Sequence, residues 1–123
     1  MNTDNIQMHK DLCEELNKTY EKKNRDYGNS FSDTFNKLGI ISAVTRITDK
    51  YNRLVSLCMK PEEERMVKDE SISDTLMDMA NYCIMTEIEL RKNKIEKEAE
   101  KIQEFVLEEV TNPFADVILD SDK

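Results

Sequence analysis

A chain of 123 residues is long enough for one hydrophobic core and too short for two ordinary domains. Two glycines, two prolines, no tryptophan and 36% charged beside 38% hydrophobic residues predict an all-α protein with strongly polar outer faces. A formal charge of -8 excludes a role that embraces a polymeric nucleic-acid backbone, and no apolar run approaches the ~18 residues that a membrane span needs.

In chain order, Thr3 or Asp4 can cap a first helix that runs to about Arg25, its apolar positions Ile6, Met8, Leu12, Cys13, Leu16 and Tyr20 recurring at helical intervals. The leading MNTDNIQMHKD has neither the basic nor the apolar region of a secretory signal. Cys13, Cys58 and Cys83 are odd in number and widely spaced, so a cytoplasmic, reducing setting is expected in place of a disulfide or zinc framework. His9 is the one histidine and reads as a surface or cap residue.

The first helix gives way to Asp26-Tyr27-Gly28-Asn29-Ser30, where Gly28 permits a positive-φ turn, and Ser32-Asp33 offers a cap for a short segment that follows. With Phe31 and Phe35 close behind, this turn suits two roles: an aromatic face and backbone N–H groups against a base or sugar, or a hydrophobic plug between helices. Both stay open.

From Ile40 to Cys58 the residues Ile40, Val44, Ile47, Tyr51, Leu54, Val55 and Cys58 form an apolar stripe, with Arg46, Asp49, Lys50 and Arg53 opposite. Arg46, Lys50 and Arg53 make this second face net basic, able to grip phosphate oxygens; a solvated face with ion pairs to Asp49 has the same composition. Pro61 and the acidic run at 62–64 then interrupt the pattern.

A third long helix is expected from about Ser71 at least to Leu90, apolar on nearly all sides between Leu76 and Leu90 except at Asp78, Asn81 and Glu87. Beyond it, Ile95, Ala99, Ile102 and Val106 keep loose register among dense charges, as in a helical extension reaching across a partner subunit. Asn112-Pro113 ends that extension, and the tail FADVILDSDK carries Phe114, Val117, Ile118 and Leu119. Residues 1–90 thus read as a helical core and 91–123 as its extension and tail, in a homo-oligomer.

Glu70, Asp74 and Asp78 recur every fourth residue, so they share one inclined ridge, and Asn81 returns to the same side. At a rise of about 1.5 Å per residue the ends of the ridge lie roughly 12 Å apart, too far for one ion to touch all three. Adjacent members can share a hard divalent cation such as Mg²⁺, with further acids from a facing helix. The ordinary alternative is that Glu70 favours the positive helix end and the aspartates pair with basic neighbours. No Gly-rich phosphate loop, serine nucleophile motif or Cys–His pairing is evident, so covalent catalysis is not expected.

Three stretches in this order, KNRDYGNSF, TRITDKYNRLVSL and KDESISDTLMDMANYCIMTEIEL, resemble the nucleotide modification associated domain 1 family, small proteins found often in phages. The likeness spans about residues 17 to 90. The last stretch is more distantly similar to the acidic helix of MazG-like all-α NTP pyrophosphatases, Mg²⁺ enzymes that split a nucleoside triphosphate into monophosphate and pyrophosphate. That resemblance implies a metal pair at Glu70 and Asp74, with Asp78 as a further ligand or water-orienting group. With such a metal pair, the basic residues Arg46, Lys50 and Arg53 are expected to neutralise phosphate charge, and Asp26, Tyr27, Gly28, Asn81 and Tyr82 to shape a nucleoside pocket. Three residues separate Glu70 from Asp74 where the MazG-like pattern has two, and the paired glutamates of an earlier helix have no clear match. Glu14 and Glu15, Glu21, Asp26 and Asp49 stand as substitutes. The expected function is therefore a nucleotide-binding protein, either a Mg²⁺-dependent (d)NTP pyrophosphohydrolase or a non-catalytic sponge for a nucleotide or nucleotide-derived host signal, acting in the host cytoplasm if phage-encoded. A helical adaptor working through its C-terminal helix is the third reading.

Overall fold

Four helices and their connections make up the described part of the chain in the computed structural model, which covers residues 4–61 and 65–111, with the side chains of residues 27, 65–69 and 111 left out of the description. The sequence expectations for the acidic run at 62–64 and for the tail from Asn112 lie outside the described residues. No strand occurs among the described residues, and none of their helices is long and apolar enough to cross a membrane. The chain divides into two compact units, Met1–Glu89 and Leu90–Lys123.

In the first unit, α1 spans Asn5–Tyr27 and is capped by Asp4, whose carboxylate accepts from the Ile6 N–H at 2.9 Å. It ends two residues beyond expectation, at Gly28, where φ is 66° and the Gly28 N–H donates back to the Asn24 carbonyl. Helix α2, Ser30–Leu38, starts at Asn29 and not at Ser32, because Ser32 is used elsewhere. Helix α3 spans Ile40–Cys58, the bounds read from the apolar stripe.

Gly39 joins α2 to α3 with φ 77° and ψ -169°, a region open in practice to glycine alone. A Cβ there would meet nothing within 4 Å, so the cost of a side chain is purely one of backbone conformation. Gly39→Ala is expected to lower stability by about 1–3 kcal/mol, read as a fall in the urea midpoint at unchanged slope; a midpoint equal to that of the parent would show that the corner can relax.

Helix α4 spans Arg65–Thr111, so the third long helix and the helical extension expected beyond Leu90 are one continuous element, which starts six residues before Ser71. No glycine or proline interrupts it, and charges at helical-neighbour spacing, such as Glu87 with Arg91 and Lys94 with Glu98, support residues whose apolar pattern is sparse. Its residues from Leu90 belong to the second unit, where Ile95, Ile102, Phe105 and Val110 are exposed.

The core of the first unit is small. Among the described residues the buried apolar side chains are Leu16, Phe35, Ala43 and Leu57. The part of α4 in this unit buries polar groups instead: Thr75 donates to the Ser71 carbonyl at 2.7 Å, Thr86 to the Tyr82 carbonyl at 2.6 Å, and Glu89 accepts from Ser32. Each is satisfied, which is the condition for burying it without a large penalty.

The faces of α3 are partly exchanged relative to expectation. Lys50, on the basic side, turns toward α4, while Ile40, Val44, Tyr51 and Val55 of the apolar stripe stay exposed. The physical reason is on α4: Asp78 is half-buried and draws the Lys50 ammonium to it.

Candidate functional site

Along α4, Asp78, Asn81, Tyr82, Met85, Ile88 and Glu89 follow at offsets of three, four, seven, ten and eleven residues, which at about 100° per residue form one face. This face forms one wall of a cavity of about 270 Å³. Tyr20, Lys23 and Asn24 of α1, the Gly28–Asn29 turn, Ser30, Phe31, Ser32 and Thr34 of α2, and Ser42 and Arg46 of α3 complete it. All of these residues belong to the first unit.

One end of the cavity is charged. Lys50 donates to Asp78 Oδ2 at 3.2 Å and Lys23 lies 3.5 Å from Asp78 Oδ1, so one carboxylate ties α1 and α3 to α4. Arg46 stands one turn before Lys50 on α3 and lines the same cavity; among the described residues no carboxylate comes within ion-pair distance of it. Two cations thus line the cavity with Asp78 between their helices, so the charged end is net positive in a strongly acidic chain.

Aromatic and amide groups make up the next layer. The rings of Phe31 and Tyr82 sit 6.1 Å apart at 33°, a tilted pair that presents a continuous aromatic wall. Asn81 donates to the Leu16 carbonyl at 3.2 Å, which fixes its amide and packs α1 against α4. Asn24 adds a second amide.

Beyond the aromatic wall, Glu89 is only 3% exposed, yet it lines the cavity and accepts from the Ser32 hydroxyl. Ser32 lies in the first turn of α2, a turn whose N–H groups have no intrahelical acceptor and which Asn29 does not cap with its side chain. Among the described residues, a buried acceptor that already holds Ser32 therefore stands beside a helix turn that its N-cap side chain leaves uncapped.

Of the residues singled out from sequence, Asp78, Asn81, Tyr82, Gly28 and Arg46 come together here. Lys50 reaches the site through Asp78 without lining it. Glu70 and Asp74 are exposed and outside the lining, as are Arg53 and Asp26. The side chain of Tyr27 lies outside the described residues. Sequence reasoning missed Tyr20, Lys23, Asn24, Ser32 and Glu89. Glu89 had a usable signal, since it sits eleven residues after Asp78 and hence on the same face. A further correction concerns Cys13, whose Sγ lies 3.7 Å from His9 Nδ1, a Cys–His contact one turn apart on α1. Both are exposed, and neither lines the cavity.

A family model described as nucleotide modification associated domain 1 matches residues 23–90, more than half of the chain. The chain belongs to this family. No curated protein and no solved structure matches it. The matched segment of this nucleotide modification associated domain runs from Lys23 to Leu90 and so contains every cavity-lining residue except Tyr20. The helix beyond Leu90 lies outside the match.

The Mg²⁺ expected from the acidic ridge meets an unfavourable donor set. Asp78 is the ridge member that reaches the cavity, and an ammonium group faces each of its oxygens. Among the described residues no three His, Cys, Asp or Glu side chains converge as a metal site. The carboxylate that the ridge brings to the cavity is thus already matched by two ammonium groups, an arrangement that disfavours a magnesium ion at Asp78.

Proposed function

We propose that this cavity binds a mononucleotide, and that the protein acts by holding it. The observation that carries this reading is that one cavity is lined both by an aromatic pair, Phe31 and Tyr82, and by two cations, Lys23 and Arg46. A base needs a flat apolar surface with a few amide partners, and a phosphate needs cations with directional donors. The volume of about 270 Å³ is near the lower bound of the ~300–1,000 Å³ usual for small-molecule pockets, so it suits one nucleotide unit and not a polymer strand.

Direct cation–phosphate contact is the basis of the binding, so it does not depend on a divalent ion. The experiment is calorimetric titration of the full chain with mononucleotides and nucleoside triphosphates, in EDTA and again in Mg²⁺, with the eluate analysed for products. Saturable binding in EDTA with intact ligand recovered supports retention. Steady release of pyrophosphate in Mg²⁺ would assign the protein to the hydrolases, and no binding by any nucleotide would end the reading.

We further propose that the working form is a homo-oligomer, because Ile40, Val44, Tyr51 and Val55 form an exposed stripe on α3 beside the face that turns inward. Contiguous apolar stripes of this kind are usually covered in the working assembly. Sedimentation equilibrium is expected to give a multiple of the chain mass, and Val44→Glu a shift toward the monomer; a parent protein that sediments as a monomer at all concentrations would contradict this.

A further inference from the structure

Glu89 is not explained by nucleotide binding in general. A carboxylate is a poor neighbour for phosphate, and this one stands eleven residues from Asp78, roughly 16 Å along α4 from the carboxylate that Lys23 and Lys50 engage. It is 3% exposed, held by Ser32 and adjoined by the open first turn of α2. The aromatic wall is tied to the same corner: Phe31 precedes Ser32 in the chain, and Tyr82 is two turns before Glu89 on one face of α4.

We propose that this corner reads the base, and that the base is guanine. The inference rests on the reading of the cavity as a nucleotide site. A base stacked on the Phe31–Tyr82 wall presents its edge to a carboxylate, which accepts hydrogen bonds and donates none, and beside it to main-chain N–H groups, which donate. Guanine matches this sequence of partners: N1–H and the N2 amino group are adjacent donors for one carboxylate, and O6 is the neighbouring acceptor for an N–H of the α2 turn. Adenine and cytosine offer one amino group next to a ring-nitrogen acceptor, and uracil flanks its single N–H with two carbonyl oxygens. Each of these leaves an acceptor facing the Glu89 carboxylate, a mismatch that buried sites punish heavily.

The test is a competition titration of the full chain in EDTA with GMP, dGMP, IMP, AMP, CMP and UMP. GMP and dGMP are expected to bind alike and about 10-fold or more tighter than AMP, CMP and UMP, with IMP, which lacks the N2 amino group, in between. Glu89→Gln is expected to weaken GMP about 10-fold or more and to strengthen AMP, whose N1 acceptor then meets an amide N–H in place of a carboxylate, so that retained AMP binding also shows the site is still folded; a loss shared equally by GMP and AMP would contradict base reading by Glu89. Equal binding of all bases overturns guanine selection and leaves the nucleotide site standing. Base-independent binding that fails with dGMP would assign Glu89 to the ribose hydroxyls, which also overturns it. Absence of binding by all six removes the nucleotide reading and this inference together.

Discussion

Replacing Arg46 with alanine is expected to weaken mononucleotide binding about 10- to 100-fold, the loss of roughly 1.5–3 kcal/mol that charge-assisted hydrogen bonds to phosphate contribute. Arg46 lines the cavity, is exposed, and among the described residues has no ion-pair partner, so its removal breaks nothing that holds the helices together. Stability should therefore stay within about 0.5 kcal/mol of the parent. Arg46→Lys should recover part of the loss, since the charge returns without the paired donors. The control is Arg53→Ala on the same helix. Composition groups the two arginines together, but Arg53 lies outside the lining, and its loss should leave affinity unchanged. Calorimetry on the three variants decides the matter. Equal losses at Arg46 and Arg53 would mean that net charge attracts the ligand and that the cavity does not position it.

The second large effect is expected at Phe35. It is 4% exposed, lies on α2, and is one of the few buried apolar side chains among the described residues. Its truncation to alanine should cost about 3–5 kcal/mol through lost apolar burial and the void left behind. Against a typical total of about 5–15 kcal/mol, that is a loss the domain can scarcely absorb. Because α2 also brings Phe31, Ser32 and Thr34 to the cavity, nucleotide affinity should fall with stability in this variant, unlike in Arg46→Ala. Leu38→Ala serves as the comparison, since Leu38 is on the same short helix but 69% exposed and should change the urea midpoint little. Similar midpoints for the two variants would show that α2 is not held by Phe35.

The sequence was most informative where apolar periodicity met a glycine. The stripe from Ile40 to Cys58 bounds α3 correctly, and Asp4 and Gly28 mark the ends of α1. The continuation of α4 past Leu90 was legible from the loose register of Ile95, Ala99, Ile102 and Val106, but its start was not, since the helix begins at Arg65 and the apolar pattern resumes only near Glu70. Which face of α3 turns inward was also not legible. Hydrophobicity alone favours burying Ile40, Val44 and Tyr51, while the half-buried Asp78 on another helix draws Lys50 inward. The same long-range pairing explains the site. Asp78, Asn81 and Tyr82 could be found from one helix, but Lys23 and Glu89 acquire meaning only through Asp78 and Ser32, partners 55 and 57 residues away in the chain. Glu70 and Asp74 share the ridge with Asp78 yet extend past the cavity, because a ridge longer than one pocket must leave some of its members outside.

The central claim is that the nucleotide sits among α1, α2, α3 and the face of α4 that ends at Glu89. Amide chemical-shift mapping of the isotope-labelled full chain during titration with GMP and AMP tests it most directly. Shifts are expected at Lys23–Asn24, at Ser30–Ser32, around Arg46 and from Asp78 to Tyr82, with Glu70, Asp74 and Ile102 unmoved. Perturbations centred on Glu70 and Asp74, or confined to residues beyond Leu90, would contradict the account.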